Sequence, residues 1–88
     1  MLNANTTNQF KKDYQKQIKK GKDIDKLEQI MTQIVLEQPL AARHRDHPLS
    51  GNWLHYRDCH VEPDWVLIYK IDGADVLFAR TGSHSDLF

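Results

Sequence analysis

In the first half of the chain the apolar residues recur at helical spacing, and in the second half they gather into short runs bounded by turn residues. Phe10, Tyr14 and Ile18 repeat every four residues and predict one apolar stripe on a helix. Thr6 followed by Gln9 reads as the capping box that opens this helix, and Gly21 ends it. Ile24, Leu27, Ile30, Met31, Ile34 and Val35 form the buried face of a second helix, capped by Asp23 or Asp25 and stopped by Pro39. The short connection between the two predicts an antiparallel helical hairpin. Residues 2–5 suit a short first strand.

Beyond Pro39 a polar connector, residues 40–52, carries Pro48, Gly51 and two histidines. Three strands are predicted after it, at about residues 53–60, 65–71 and 75–81. Asp72-Gly73 is the hairpin turn between the last two, and residues 61–64, with Pro63 inside, form the loop before them. The sum is an α+β architecture: a short N-terminal strand and a two-helix hairpin packed on a mainly antiparallel sheet.

Length and composition narrow the function classes. Residues 1–88 make one domain with one modest core. No apolar run is long enough to span a bilayer, and no signal-peptide pattern opens the chain, so no membrane partner is expected. The single cysteine, Cys59, reads as a small buried apolar residue; having no intramolecular partner, it points to a cytoplasmic setting. No Cys/His grouping has zinc-site spacing, so no metal or other cofactor is expected. Twelve basic residues balance twelve acidic ones, which argues against a strong nonspecific polyanion binder. Charge is nonetheless unevenly placed. Seven lysines lie between Phe10 and Lys26, and all five histidines lie beyond residue 43. The lysines read first as a solvated helix face and second as a basic flank for RNA or an acidic partner.

Counting back from an Asp72-Gly73 turn sets Ile71 opposite Ala74 and Trp65 opposite Arg80, and a four-residue loop at 61–64 sets His60 opposite Trp65. Opposed side chains share a sheet face, so His60, Trp65 and Arg80 are expected in one row with Asp64 beside it. Such a row suits RNA cleavage by an adjacent 2′-hydroxyl. Imidazoles move the protons, a guanidinium stabilises the phosphorane-like charge, and Trp65 stacks a base. His47 and His84 flank the strands on irregular segments. Each residue also has a plain structural reading. Trp65 can begin a buried strand, Arg80 can pair with Asp64 or Asp86, and Asp64 is a good turn residue. His44 and His55 read as surface polarity, and Trp53 and Tyr56 as packing.

The segments Asp46-His47-Pro48-Leu49, Tyr56-Arg57-Asp58, His60-Val61-Glu62-Pro63-Asp64-Trp65, Leu67-Ile68-Tyr69 and Arg80-Thr81-Gly82-Ser83-His84, with the ending Leu87-Phe88, resemble the YafQ branch of RelE-type toxins. The resemblance spans about half of the chain in order. It implies the RelE-like microbial ribonuclease fold and a ribosome-dependent mRNA endoribonuclease that cuts in the ribosomal A site. The implied chemistry is metal-independent acid–base cleavage leaving a 2′,3′-cyclic phosphate. The implied partners are a DinJ/RelB-like antitoxin, mRNA on the ribosome, and operator DNA reached only through the antitoxin complex. It assigns His47, His60, Asp64, Arg80 and His84 to catalysis, and Trp65 and Phe88 to holding bases. The neutral charge departs from many basic relatives of this type. Competing readings are a ParE-type toxin with a non-RNA target, an inactive antitoxin-binding regulator and a plain RNA-binding domain. The three site histidines, the intact His/Asp/Arg set and the lack of net positive charge argue against these in turn.

Overall fold

In the computed structural model, which describes residues 1–88, the chain runs β1 (Asn3–Thr6), α1 (Asn8–Lys19), α2 (Ile24–Val35), β2 (His47–Pro48), β3 (Arg57–Glu62), β4 (Trp65–Asp72), β5 (Asp75–Gly82) and α3 (His84–Leu87). Short 3-10 turns at Ala42–His44 and Gly51–Trp53 shape the connector. The strands form one sheet in the order β1-β5-β4-β3-β2, with β1 parallel to β5 and every other neighbour antiparallel. The expected α+β architecture holds. The elements not expected, β2, α3 and the 3-10 turns, are too short to show a period.

Thr7, not Thr6, caps α1: Thr6 is still in β1, paired with Phe78. The Thr7 hydroxyl accepts the Phe10 N–H at 2.9 Å and donates to the Ala79 carbonyl at 2.8 Å, tying the helix start to β5. The buried face of α1 is Phe10, Asp13 and Gln17. Ile18 is 44% exposed, because seven residues, about two turns, bring Gln17 back beneath Phe10 while Ile18 overshoots. Asp23 caps α2 as expected, its side chain accepting the Asp25 N–H. The end of α2 differs. Glu37 takes a left-handed φ of 59°, and the N–H groups of Glu37 and Gln38 return to the carbonyls of Ile34 and Gln33. The helix therefore closes ahead of Pro39, on a Schellman turn. The two helices meet where the Tyr14 hydroxyl donates to Glu28, a bond that with burial pushes the phenol up to about 12.

The sheet has two unlike faces. Phe10, Leu27, Ile30 and Ile34 of the helices pack on Cys59, Val61, Trp65, Leu67, Tyr69, Val76 and Phe78. On the other face a smaller cluster, Val66, Ile68, Ala79 and Leu87, is roofed by Leu49, Trp53 and Tyr56 of the connector. The connector is fastened at its start and middle: His44 Nδ1 donates to the His60 carbonyl at 2.7 Å, and Asp46 accepts from the Tyr69 hydroxyl at 2.6 Å and Arg57 Nε at 3.1 Å.

Two bulges decide which face each site residue joins. Asp72 opposes Asp75, so the hairpin turn is Gly73-Ala74, with Gly73 at φ 60°, rather than Asp72-Gly73. Tyr69 then pairs with Phe78, but Ile68 pairs with Arg80, leaving Ala79 as the extra residue. In β3 His60 pairs with Val66 while Glu62 pairs with Trp65, leaving Val61 as the extra residue and Pro63-Asp64 as the turn. The expected row His60–Trp65–Arg80 is therefore corrected. His60, Val66 and Gly82 form one row and Asp58, Ile68 and Arg80 the next, on the face away from the helices. Trp65 faces the helical core.

Candidate active site

The face away from α1 and α2 gathers His47, Asp58, His60, Arg80 and the end of the chain. His60 stands on β3, half-buried, and its ring nitrogens carry no hydrogen bond. Its ring centroid lies 5.1 Å from that of His84, and the Phe88 ring follows 6.2 Å beyond His84. His84 is the first residue of α3, whose start is fixed by a capping box between Ser83 and Asp86. Leu87 anchors the same turn in the small apolar cluster, and Lys16 and Lys20 pair with Asp86 from outside.

Asp64, in the β3–β4 turn, holds His84 at two points. Its Oδ1 accepts the His84 main-chain N–H at 3.1 Å and lies 2.9 Å from His84 Nδ1. These bonds to His84 keep the Asp64 carboxyl below the usual carboxylate range. They also direct Nδ1 at the carboxylate, so Nε2 is the ring nitrogen left for a substrate. His47 is fixed in a similar way. Its Nδ1 donates to the Arg45 carbonyl at 2.6 Å, and Arg45 presents that carbonyl from a left-handed φ of 47°.

Asp58 was not singled out from the sequence as a site residue. It is 4% exposed, with Oδ1 buried and 3.1 Å from His47 Nδ1, but the imidazole N–H is aimed at Arg45 and leaves that oxygen without a hydrogen bond. Burial raises the Asp58 carboxyl above its ordinary value, against the pull of His47, His60 and His84. The signal for it was present: in a strand, Asp58 shares a face with His60 two residues on.

Arg80 is a quarter exposed and pairs with Asp13 of α1, not with Asp64 or Asp86; Nε reaches Asp13 Oδ2 at 2.7 Å. Trp65 is corrected outright as a base-stacking residue. It is 0% exposed, its indole N–H donates to Thr81 Oγ1 at 2.9 Å, and Lys22 Nζ sits 5.8 Å from the ring centroid. Phe88, at 57% exposed, presents its ring to solvent beside His84. Beside His60 a cavity of about 310 Å³ opens between Arg43, His44 and Arg45 on one side and Val61, Glu62 and Pro63 on the other. No group of three His, Cys, Asp or Glu side chains is placed to hold a metal ion. No helix is long and apolar enough to cross a membrane.

The sheet with helices on one face and a histidine–carboxylate cluster on the other defines a RelE-like toxin fold, and known proteins share it throughout. Residues 2–88 match the family described as the bacterial toxin of type II toxin–antitoxin systems, YafQ. The mRNA interferase toxin YafQ of Escherichia coli K12 is 48% identical over 81 residues, covering 91% of this chain and 88% of the relative. A putative YafQ toxin of Haemophilus influenzae is 47% identical over 51 residues, covering 53% of this chain and 50% of the relative. The crystal structure of YafQ from E. coli BL21(DE3) superposes with a TM-score of 0.95 at 43% identity, covering 100% of this chain and 99% of that one. YafQ in the E. coli DinJ–YafQ complex superposes at 0.94 with 44% identity and the same coverage. This chain belongs to the YafQ family of type II toxins.

Proposed function

We propose that this chain is an mRNA endoribonuclease that cuts messages in the ribosomal A site and so halts translation. The supporting observation is the pair of imidazoles, His60 and His84, 5.1 Å apart on the sheet face that also carries Arg80. One imidazole takes the proton of a 2′-hydroxyl, which attacks the adjacent phosphate. The other protonates the leaving 5′-oxygen, and a 2′,3′-cyclic phosphate and a 5′-hydroxyl result. The chemistry is acid–base and asks for no metal, since imidazole and guanidinium supply both proton transfer and positive charge. His47 is a third proton-transfer candidate from the neighbouring row. Asp64 holds the ring of His84, Arg80 meets the phosphate, and Phe88 stacks a base.

The relatives' names point the same way: two E. coli proteins at 48% identity are mRNA interferase toxins. The DinJ–YafQ complexes support an antitoxin partner of the DinJ/RelB type; operator DNA, on this reading, is reached only through that antitoxin. A cytoplasmic setting follows from a substrate held on the ribosome. The net charge of zero makes the ribosome the natural means of presenting the message, because the chain's own attraction for a phosphate backbone is weak. The test is a message bearing one 2′-deoxynucleotide at the cut position, on programmed ribosomes. Loss of cleavage there and a cyclic phosphate on the parent product are expected; cleavage of the deoxy message overturns the 2′-hydroxyl mechanism.

A further inference from the structure

We propose that Asp13, on α1, is the positioning residue for Arg80, holding one edge of the guanidinium so that the other edge meets the scissile phosphate. The proposal rests on the nuclease reading of the site. Asp13 is 6% exposed on an otherwise lysine-rich helix, and its carboxylate is fully engaged. Oδ2 accepts from Arg80 Nε at 2.7 Å and from the Thr81 main-chain N–H at 3.2 Å; Oδ1 accepts from Arg80 Nη2 at 3.3 Å and from Gln9 Nε2 at 3.0 Å. A buried carboxylate held by a main-chain donor and a neighbouring amide is itself fixed, so it can fix its partner.

The geometry of the fork matters. Asp13 occupies the Nε/Nη2 side of the guanidinium and leaves the Nη1/Nη2 end without a protein partner, which is the edge that binds two phosphate oxygens at once. The backbone aims Arg80 as well. Val76 and Phe78 point to the helices, and alternation would send residue 80 the same way. The extra residue Ala79 reverses the alternation and sets Arg80 opposite Ile68, on the histidine face. β1 stops at Thr6, so the adjoining edge of β5 is open, and α1 closes it with Thr7 on the Ala79 carbonyl and Asp13 on the Thr81 N–H. The bulge turns the arginine and the helix holds it.

The test is single-turnover cleavage on programmed ribosomes by the parent, Asp13→Asn, Arg80→Ala and the double variant, with thermal melts alongside. Asp13→Asn is expected to slow the cleavage step at least tenfold with little change in KM. In the Arg80→Ala background it is expected to slow cleavage no further. Asp13→Glu, which keeps the charge but pushes the guanidinium out of place, replaces Asp13→Asn if that variant melts early, and carries the same expectation. A parent rate in Asp13→Asn or Asp13→Glu, or a loss that adds to that of Arg80→Ala, overturns the role of Asp13 alone. A parent that cleaves nothing removes the nuclease reading and this inference together.

Discussion

One oxygen of Asp64 binds His84 twice, through the main-chain N–H at 3.1 Å and through Nδ1 at 2.9 Å. The turn between β3 and β4 thereby sets both the start of α3 and the rotation of the imidazole it carries. Because His84 keeps the Asp64 carboxyl below the usual range, the carboxylate is charged throughout the neutral region. Asp64→Asn retains the shape and loses the charge. Cleavage is expected to fall by about 10- to 100-fold, with an unchanged melting temperature because the side chain is 71% exposed. Equal rates for the two proteins would release Asp64 from the site.

Asp58 makes a pH-dependent contribution of opposite sign. Its carboxyl is raised by burial, so the folded protein holds that proton more tightly than the unfolded chain. The group therefore favours folding at low pH, and this contribution is lost as pH rises from the unfolded carboxylate value through the raised folded one. Asp58→Asn removes the dependence. The melting temperature of the variant relative to the parent is expected to climb as pH rises from the ordinary carboxylate value through the raised one. A difference that stays flat over that span contradicts the buried, raised carboxyl.

Trp65 separates packing from base recognition. Fully buried and bonded to Thr81, it belongs to the core. Trp65→Phe gives up the indole bond and some volume, at about 1–3 kcal/mol. The melting temperature should fall, while cleavage well below it stays at the parent rate. Full stability with lost cleavage would restore Trp65 as a substrate contact.

The last two residues do different work. Phe88 is exposed beside His84, whereas Leu87 is 8% exposed in the second apolar cluster. Truncating both therefore mixes folding with function. Deleting Phe88 alone is expected to reduce cleavage without moving the melting temperature. Leu87→Ala is expected to destabilise by about 2 kcal/mol or more. A deletion of Phe88 that cleaves like the parent removes it from base binding.

Much of the site face was legible in the sequence because strand alternation is a strong constraint, and the failures came from single-residue shifts. The bulges at Val61 and Ala79 each reverse the parity of a strand pairing, which no hydrophobic pattern announces. For His60 and Arg80 the two reversals cancel, so their common face was read correctly on a wrong register. Trp65, between them, met only one reversal and was placed on the wrong side. The strand count set Asp64 beside the row, whereas His84 was assigned to the site by family resemblance; the two meet through a loop and a four-residue helix, a contact that no periodicity announces. Asp13 lies among lysines on α1, and no pattern in the chain announces its partners, which the open edge of β5 supplies.

Ribosome-dependent mRNA cleavage through the proposed His60–His84 pair is decided by mapping message 5′ ends in cells induced for the chain alone and for His84→Ala in parallel. Codon-phased ends with the parent that vanish with the variant are the expected result. Growth arrest by the parent without new 5′ ends, or the same ends from His84→Ala, would contradict it.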